Sequence, residues 1–306
     1  MATHTWTPEE EVSRKELFDK GHFHSEYDGT SSWLEVSKLD RDSRIFKRAV
    51  SSYQMTAELE EDQEFGRRTV DSLRYRRNSH GHERICDCPD YLTPAQSGHV
   101  KGRRYEELNI SNGTRTLPSP ETPFTFSLRF RSVQGLDEAD TLKAWKTALQ
   151  DWNSTCGVNL VLTDDYDSAH VPTWTERLGG STLAIALLQT GSRSKHSHWQ
   201  KYDKRDWSID YLIGTIIHET GHTMGFSHAN SGTSIMRPFM NPNVTRLQQA
   251  DKTRTQRYYG PPLNLTPDEP TPPDGDEDGL FDVHGTMSIG NRFAVWDGRG
   301  KYVEQG

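Results

Sequence analysis

The chain is poor in apolar residues. Only 32% of its 306 residues are hydrophobic, and the mean hydropathy is −0.85. That is low for one compact enzyme, so part of the chain is expected to be extended or loosely packed. No apolar run is long enough to cross a bilayer, which excludes a hydrophobic membrane-spanning helix. Positive charge is in short supply: 36 Lys and Arg face 44 Asp and Glu, leaving a net charge of −8, which argues against a nucleic-acid partner. Cysteine is scarce. Cys86, Cys88 and Cys156 are an odd set, so a monomer keeps at least one thiol unpaired. The opening residues, from Met1 to Glu10, contain no apolar core of a signal peptide. Yet Asn109, Asn112, Asn153, Asn243 and Asn264 all begin Asn-x-Ser/Thr sequons, half of the ten asparagines. That frequency favours a secreted protein whose leader is removed or absent from this chain over idle sequons in an intracellular one.

What is present is concentrated in His218-Glu219-Thr220-Gly221-His222-Thr223-Met224-Gly225-Phe226-Ser227-His228. The apolar lead from Tyr211 to Ile217 reads as the start of a buried helix. On a helix, His218 and His222 project from one face. Two imidazole nitrogens at that spacing suit Zn²⁺, and Glu219 places a carboxylate beside them. Gly225 can end the helix in the left-handed conformation, so the chain turns back and brings in His228 as a third ligand. Three protein ligands with an open fourth position are the pattern of a catalytic zinc rather than a structural one. A buried helix whose histidines merely satisfy backbone groups does not account for the ordered set together with Met236.

A length of 306 residues has room for about two domains. Residues 8–20 are helix-prone. Ile45, Phe46, Ala49, Val50, Tyr53 and Met55 form a helical stripe, continued by Val70, Leu73 and Tyr75, so a small helical bundle is expected. His80 and His82 sit in a turn-rich stretch. Cys86 and Cys88 follow, and a thiol upstream of an open zinc site could occupy it and silence it. Phe124, Phe126, Leu128 and Phe130 alternate with polar residues as a strand. Asp137 caps a helix whose inner face is expected to use Leu142, Trp145, Leu149 and Trp152. Strands are expected at 158–162, near Val171 and at 183–188, the zinc helix from about Ser208 to Met224, and a last helix from Arg246 to Tyr258. The run 266–278 is an acidic, proline-rich spacer.

Together these motifs resemble the matrixins, the matrix metalloproteinase family of metzincins. The histidine motif is similar to the family's zinc signature at every fixed position, and Ser234-Ile235-Met236-Arg237-Pro238 looks like its Met-turn. Asp251 and Tyr258-Tyr259-Gly260 fall where the closing helix carries its fixed residues. Cys86-Asp87-Cys88-Pro89-Asp90 resembles the cysteine-switch core, with Asp87 in place of glycine and Ile85 in place of arginine, Arg84 standing one step earlier. Cys86 is therefore the expected fourth zinc ligand of a latent form, with Cys88 a second candidate. A Cys88–Cys156 disulfide is left open.

The resemblance implies an α+β protein. Residues 1–91 would be a helical, peptidoglycan-binding-like prodomain and 92–122 a linker with an activation site. Residues 123–262 would be a metzincin catalytic domain with a mixed, mostly parallel twisted sheet and three helices, and 263–306 a hinge and short tail. Glu219 would be the catalytic acid–base, with His218, His222 and His228 holding one zinc. Met236 would underlie the metal, while Pro238 and Phe239 line a specificity pocket and Leu183 and Ala184 belong to the strand that receives substrate. No structural zinc is expected, because Ile185 replaces one of its histidines and only His198 remains. Calcium ligands are not identifiable; Asp164, Asp165 and Asp167 are candidates on a surface loop. The implied function is latent endopeptidase activity on protein substrates, extracellular matrix proteins included, by a monomer released by an activating protease. Lys101-Gly102-Arg103-Arg104 and Arg74-Tyr75-Arg76-Arg77 are candidate cutting sites. The alternative is a non-enzymatic glycan- or peptidoglycan-binding protein with an inert metal site.

Overall fold

The computed structural model describes residues 5–23, 32–86, 88, 90, 118–179, 182–186, 198–229, 233–263, 286–289, 292–296 and 302–305. Helix α1, Pro8–Asp19, starts on a capping box in which Thr7 and Glu10 satisfy each other's backbone N–H groups. A one-turn helix that periodicity does not reveal, α2 (Trp33–Val36), repeats the device with Ser32 and Glu35. Helix α3, Arg44–Thr56, buries Phe46, Ala49, Val50 and Tyr53, and α4, Arg67–Tyr75, buries Leu73. These side chains and Leu17, Phe23 and Phe65 make one apolar core. Phe239, from the far half of the chain, completes it.

The second core belongs to a five-stranded sheet. Its strands are β1 (Phe124–Leu128), β2 (Leu160–Leu162), β3 (Val171–Glu176), β4 (Ala184–Ala186) and β5 (Gln200–Asp203), in the order β2-β1-β3-β5-β4. All pairings are parallel except β4 with β5. Helices α5 (Glu138–Asn153), α6 (Ile209–Thr223) and α7 (Gln249–Tyr259) complete the region, so the α+β class with a mostly parallel sheet and three helices holds. Strand β5 gives no strong signal of its own because Gln200-Lys201-Tyr202-Asp203 is polar; its Gln200 and Tyr202 are nevertheless buried.

Asp137 caps α5 by accepting from the Asp140 N–H at 2.8 Å. Its inner face differs from expectation at one position. Trp145, Leu149 and Trp152 are buried, but Leu142 is 38% exposed. The contact stripe runs through Thr141, Ala144, Trp145, Ala148, Leu149 and Trp152. That is the i, i+3, i+4, i+7 ladder, and position 142 falls beside it. Asn153 ends α5 with its amide turned inward, donating to the Leu160 carbonyl at 2.9 Å and accepting from the Leu160 N–H at 2.8 Å. A glycan on Nδ2 would take the place of one of its two N–H donors and leave Oδ1 free to accept. Asn243 is exposed, while Asn109, Asn112 and Asn264 lie outside the described residues. In the tail, β6 (Thr286–Ile289), β7 (Arg292–Trp296) and β8 (Tyr302–Gln305) form an antiparallel sheet in that order.

Candidate metal centre

Helix α6 is buried continuously from Leu212 to Thr223, as a helix running through a core must be. Its end is set by Gly225, whose φ is 101°. The Phe226 N–H returns to the Gly221 carbonyl and the Gly225 N–H to that of His222, each at 2.9 Å. This paired closure is a Schellman motif. It swings His228 back over the helix. Gly221 is required for a different reason: a Cβ there would run into Sδ of Met236, which packs beneath the helix, and lie 3.4 Å from Trp152.

The three imidazoles converge. His222 Nε2 lies 3.1 Å from His218 Nε2 and 3.2 Å from His228 Nε2. Each opposite nitrogen has an acceptor. His218 Nδ1 meets the Ile235 carbonyl at 2.8 Å, His222 Nδ1 the Phe226 carbonyl at 2.8 Å, and His228 Nδ1 the Asp90 carboxylate at 3.1 Å. Those partners put the protons on Nδ1 and leave three Nε2 lone pairs facing one another. Such lone pairs repel unless a cation lies between them. Burial pushes His218 and His222 well below the ordinary histidine range, which keeps them neutral, as ligands must be. For His228 burial acts in the same direction, but Cys86 and Asp90 outweigh it and raise the ring.

Cys86 faces the same point, its Sγ 3.2 Å from His228 Nε2, 3.3 Å from His222 Nε2 and 3.7 Å from His218 Nε2. One thiol and three imidazoles, all buried with their ligand atoms within 4.8 Å of one another, match the donor set and number that tetrahedral Zn²⁺ prefers. Burial holds the free thiol well above its ordinary value, and Cys88 adds to this; a zinc ion would reverse it, because a ligating thiol is deprotonated. Cys88 stands beside this set but does not face all three imidazoles: its Sγ lies within 4.8 Å of the Cys86, His222 and Glu219 ligand atoms and points to the Ala186 carbonyl at 3.7 Å. Cys156 lies apart against Trp152, and all three cysteines are free, so no Cys88–Cys156 disulfide forms.

Both oxygens of Glu219 are buried without a hydrogen-bond partner. Burial, then the neighbouring Cys86 sulfur, push its carboxyl well above the usual range; the Ala186 amide, near it but outside hydrogen-bond geometry, opposes them more weakly. An orphaned carboxyl beside a cluster of metal-ligand atoms is poised to exchange a proton once water reaches it.

The segment carrying Cys86 lies in a cleft and hydrogen-bonds to both walls. The Leu183 and Ala184 N–H groups donate to the Ile85 carbonyl at 2.8 and 3.0 Å. On the other side the Ile85 N–H donates to the Pro238 carbonyl and the Met240 N–H to the Glu83 carbonyl, each at 2.8 Å. Phe239 leaves this wall and buries its ring in the N-terminal core. Met236 is buried with its sulfur against Gly221 of α6. Asp251, from α7, fixes that turn by accepting from the Ser234 hydroxyl and, at 2.9 Å, from the Ile235 N–H.

Arg84 stands one place earlier than the family pattern but still reaches Asp90, forming a buried ion pair with it while donating to the Cys86 and Cys88 carbonyls at 3.0 and 3.2 Å. Burial works against the Asp90 charge, but Arg84 and the two imidazoles of His22 and His228 hold its carboxyl well below the ordinary range. The role of His22 leaves no sequence signal, since it lies 68 residues from Asp90. His198 is buried against Phe124. Asp165 accepts from the Asp167 and Ser168 N–H groups in an exposed loop.

Residues 180–260 match the matrixin family of peptidases, Peptidase M10. That stretch, about a quarter of the chain, is similar to a matrixin domain. It is similar to matrix metalloproteinase-16 of Homo sapiens, 23% identical over 209 residues, which are 61% of this chain and 33% of that protein. It is also similar to serralysin of a Photorhabdus strain, 27% identical over 127 residues covering 38% of this chain and 26% of that protein. Macrophage metalloelastase of Rattus norvegicus is 31% identical over 91 residues, 28% of this chain and 19% of that protein. The chain thus spans about a third or less of the length of these relatives. Zinc is the metal of the matrixin family, and the donors assembled here fit it.

Proposed function

We propose that this chain is a zinc-dependent endopeptidase held in latent form by its own N-terminal region. The carrying observation is the convergence of three Nε2 lone pairs and the Cys86 sulfur beside an orphaned, buried Glu219. His218, His222 and His228 hold the metal. Bound Zn²⁺ supplies Lewis-acid polarisation of a scissile carbonyl. Glu219 takes a proton from the attacking water and passes it to the leaving nitrogen. The backbone N–H groups of Leu183 and Ala184 and the Pro238 carbonyl, now bonded to Ile85, align an extended substrate peptide once the N-terminal segment is gone. Cys86 blocks the metal until proteolysis removes it. Domain limits of 1–91, 92–122, 123–262 and 263–306 fit this scheme, with the cut falling in 92–122, of which 92–117, Lys101–Arg104 included, lie outside the described residues.

Protein substrates, extracellular matrix among them, a monomeric state, an activating protease and secretion belong to the same proposal. Among the described residues no helix is long and apolar enough to cross a membrane. The test compares wild type with Glu219→Ala after removal of the N-terminal region, using a denatured protein as substrate. We expect chelator-sensitive cleavage by wild type. The variant should hold one equivalent of zinc and show no turnover. Equal turnover by the variant refutes the assignment of Glu219, and the absence of cleavage by zinc-loaded wild type refutes the activity.

A further inference from the structure

The ligand histidines differ in where their outer partners come from. His218 and His222 find theirs, the Ile235 and Phe226 carbonyls, within the matrixin segment. His228 does not. Its Nδ1 meets Asp90 Oδ1 at 3.1 Å, across 138 residues of sequence. Asp90 is completely buried and held on every side. Its second oxygen lies 2.9 Å from His22 Nε2, Arg84 pairs with the carboxylate, and its own N–H donates to the Lys20 carbonyl at 3.0 Å. His22 is fixed in turn, with Nδ1 3.0 Å from the Ser52 hydroxyl and its ring edge-on to Tyr53 at 5.4 Å. Since Asp90 accepts at both oxygens, His22 donates through Nε2 and accepts from Ser52. The line Ser52, His22, Asp90, His228 therefore joins α3 to the metal centre.

We propose that Asp90 is a positioning residue for the metal, held by His22 and Arg84, so that the N-terminal region tightens the grip of His228 on zinc as well as capping it through Cys86. This rests on the zinc reading above. A carboxylate on the far N–H of a ligating imidazole fixes its tautomer and ring plane and raises its basicity, and loss of such a partner typically costs roughly 10–100-fold in metal affinity. It follows that the latent chain binds zinc more tightly than Cys86 alone explains, and that removing residues up to 90 weakens the metal site.

The test is zinc competition against a chromophoric chelator, on the full chain, for wild type, Asp90→Asn, Cys86→Ser and the double variant. Asp90→Asn should weaken zinc binding by roughly 10–100-fold whether it is made in the wild-type chain or on top of Cys86→Ser. If the carboxylate acts only by holding the Cys86 segment in place, the loss vanishes when Cys86→Ser is already present, and the proposal falls. His22→Gln, which leaves the Asp90 charge in place, should weaken binding in the same direction by a smaller factor; no change there removes His22 from the scheme. One measurement needs no variant. In zinc-loaded wild type with ¹⁵N-labelled histidine, His228 should show a protonated Nδ1 with a strongly downfield proton. A His228 ring coordinated through Nδ1 overturns the proposal even if Asp90→Asn fails to fold. A wild-type chain that takes up no zinc sinks the endopeptidase reading and this one together, whereas zinc uptake unaffected by Asp90→Asn sinks this one alone.

Discussion

Replacing Phe239 by alanine should loosen the N-terminal helices from the metal centre without altering any ligand. The ring is 3% exposed and sits among Leu17, Phe46, Tyr53 and Leu73 of the N-terminal core, with the Arg84 guanidinium 5.6 Å from its centroid. Truncating a buried phenylalanine costs about 3–5 kcal/mol when the cavity does not collapse. The ring is attached to the matrixin segment but buried in the helical one, so this loss falls mainly on the docking of the two. Taking about 3 kcal/mol, the docking equilibrium shifts by about 150-fold. Cys86 is fully buried, so an alkylating reagent reaches it only when the segment lifts. When reclosing is fast, the labelling rate follows the population of the open form. Full-length protein treated with a thiol reagent and mapped by peptide mass spectrometry should show Cys86 labelled about 100-fold faster in Phe239→Ala than in wild type. Cys156, buried in the sheet core at the end of α5, is the internal control and should be unchanged. An unchanged rate at Cys86 refutes the docking argument, and equal acceleration at Cys156 shows general unfolding instead.

The remaining predictions concern the thiols, pH and one turn. Cys86→Ser should give slow cleavage of a denatured protein by the uncut chain, through the small fraction of molecules whose segment has lifted, whereas Cys88→Ser should stay latent, because only the Cys86 sulfur faces all three imidazoles; latency lost in the second variant would transfer the role to Cys88. Lys20 is buried, and burial followed by the Arg84 charge lowers its pKa from 10.5 to about 8. Between those two values the unfolded chain binds more protons than the folded one, so this group's contribution to stability rises with pH. The difference in urea-unfolding free energy between wild type and Lys20→Met should therefore change in favour of wild type from pH 8 to pH 10, and a flat difference would contradict the burial of that ammonium. Gly225→Ala forces a side chain onto a φ of 101° and should lower the unfolding free energy by about 1–3 kcal/mol, read as a lower urea midpoint with an unchanged slope.

The zinc helix was legible because its information is local. A four-residue spacing is one helical turn, so it places His218 and His222 together whatever the rest of the chain does. The same holds for the alternation of β1, the cap at Asp137 and the glycine at which α6 stops, and these were enough to fix the α+β class. Where local pattern is blunt, expectation and fold part: Leu142 belongs to a plausible stripe, but α5 meets its neighbours along a line drawn by Thr141, Ala144 and Ala148. Polar β5 carried too little apolar signal to be seen.

Only tertiary structure decided what surrounds the three imidazoles. Asp90 reaches His228 across 138 residues and His22 reaches Asp90 across 68, while Phe239 crosses into the core of the other region. No spacing rule links such positions, because their proximity comes from two cores packing against one another rather than from the period of one helix or strand. The sequence by itself determined which side chains could hold a zinc ion. The fold decided which of them stay neutral, which carboxylate meets the His228 ring, and which sulfur faces all three imidazoles.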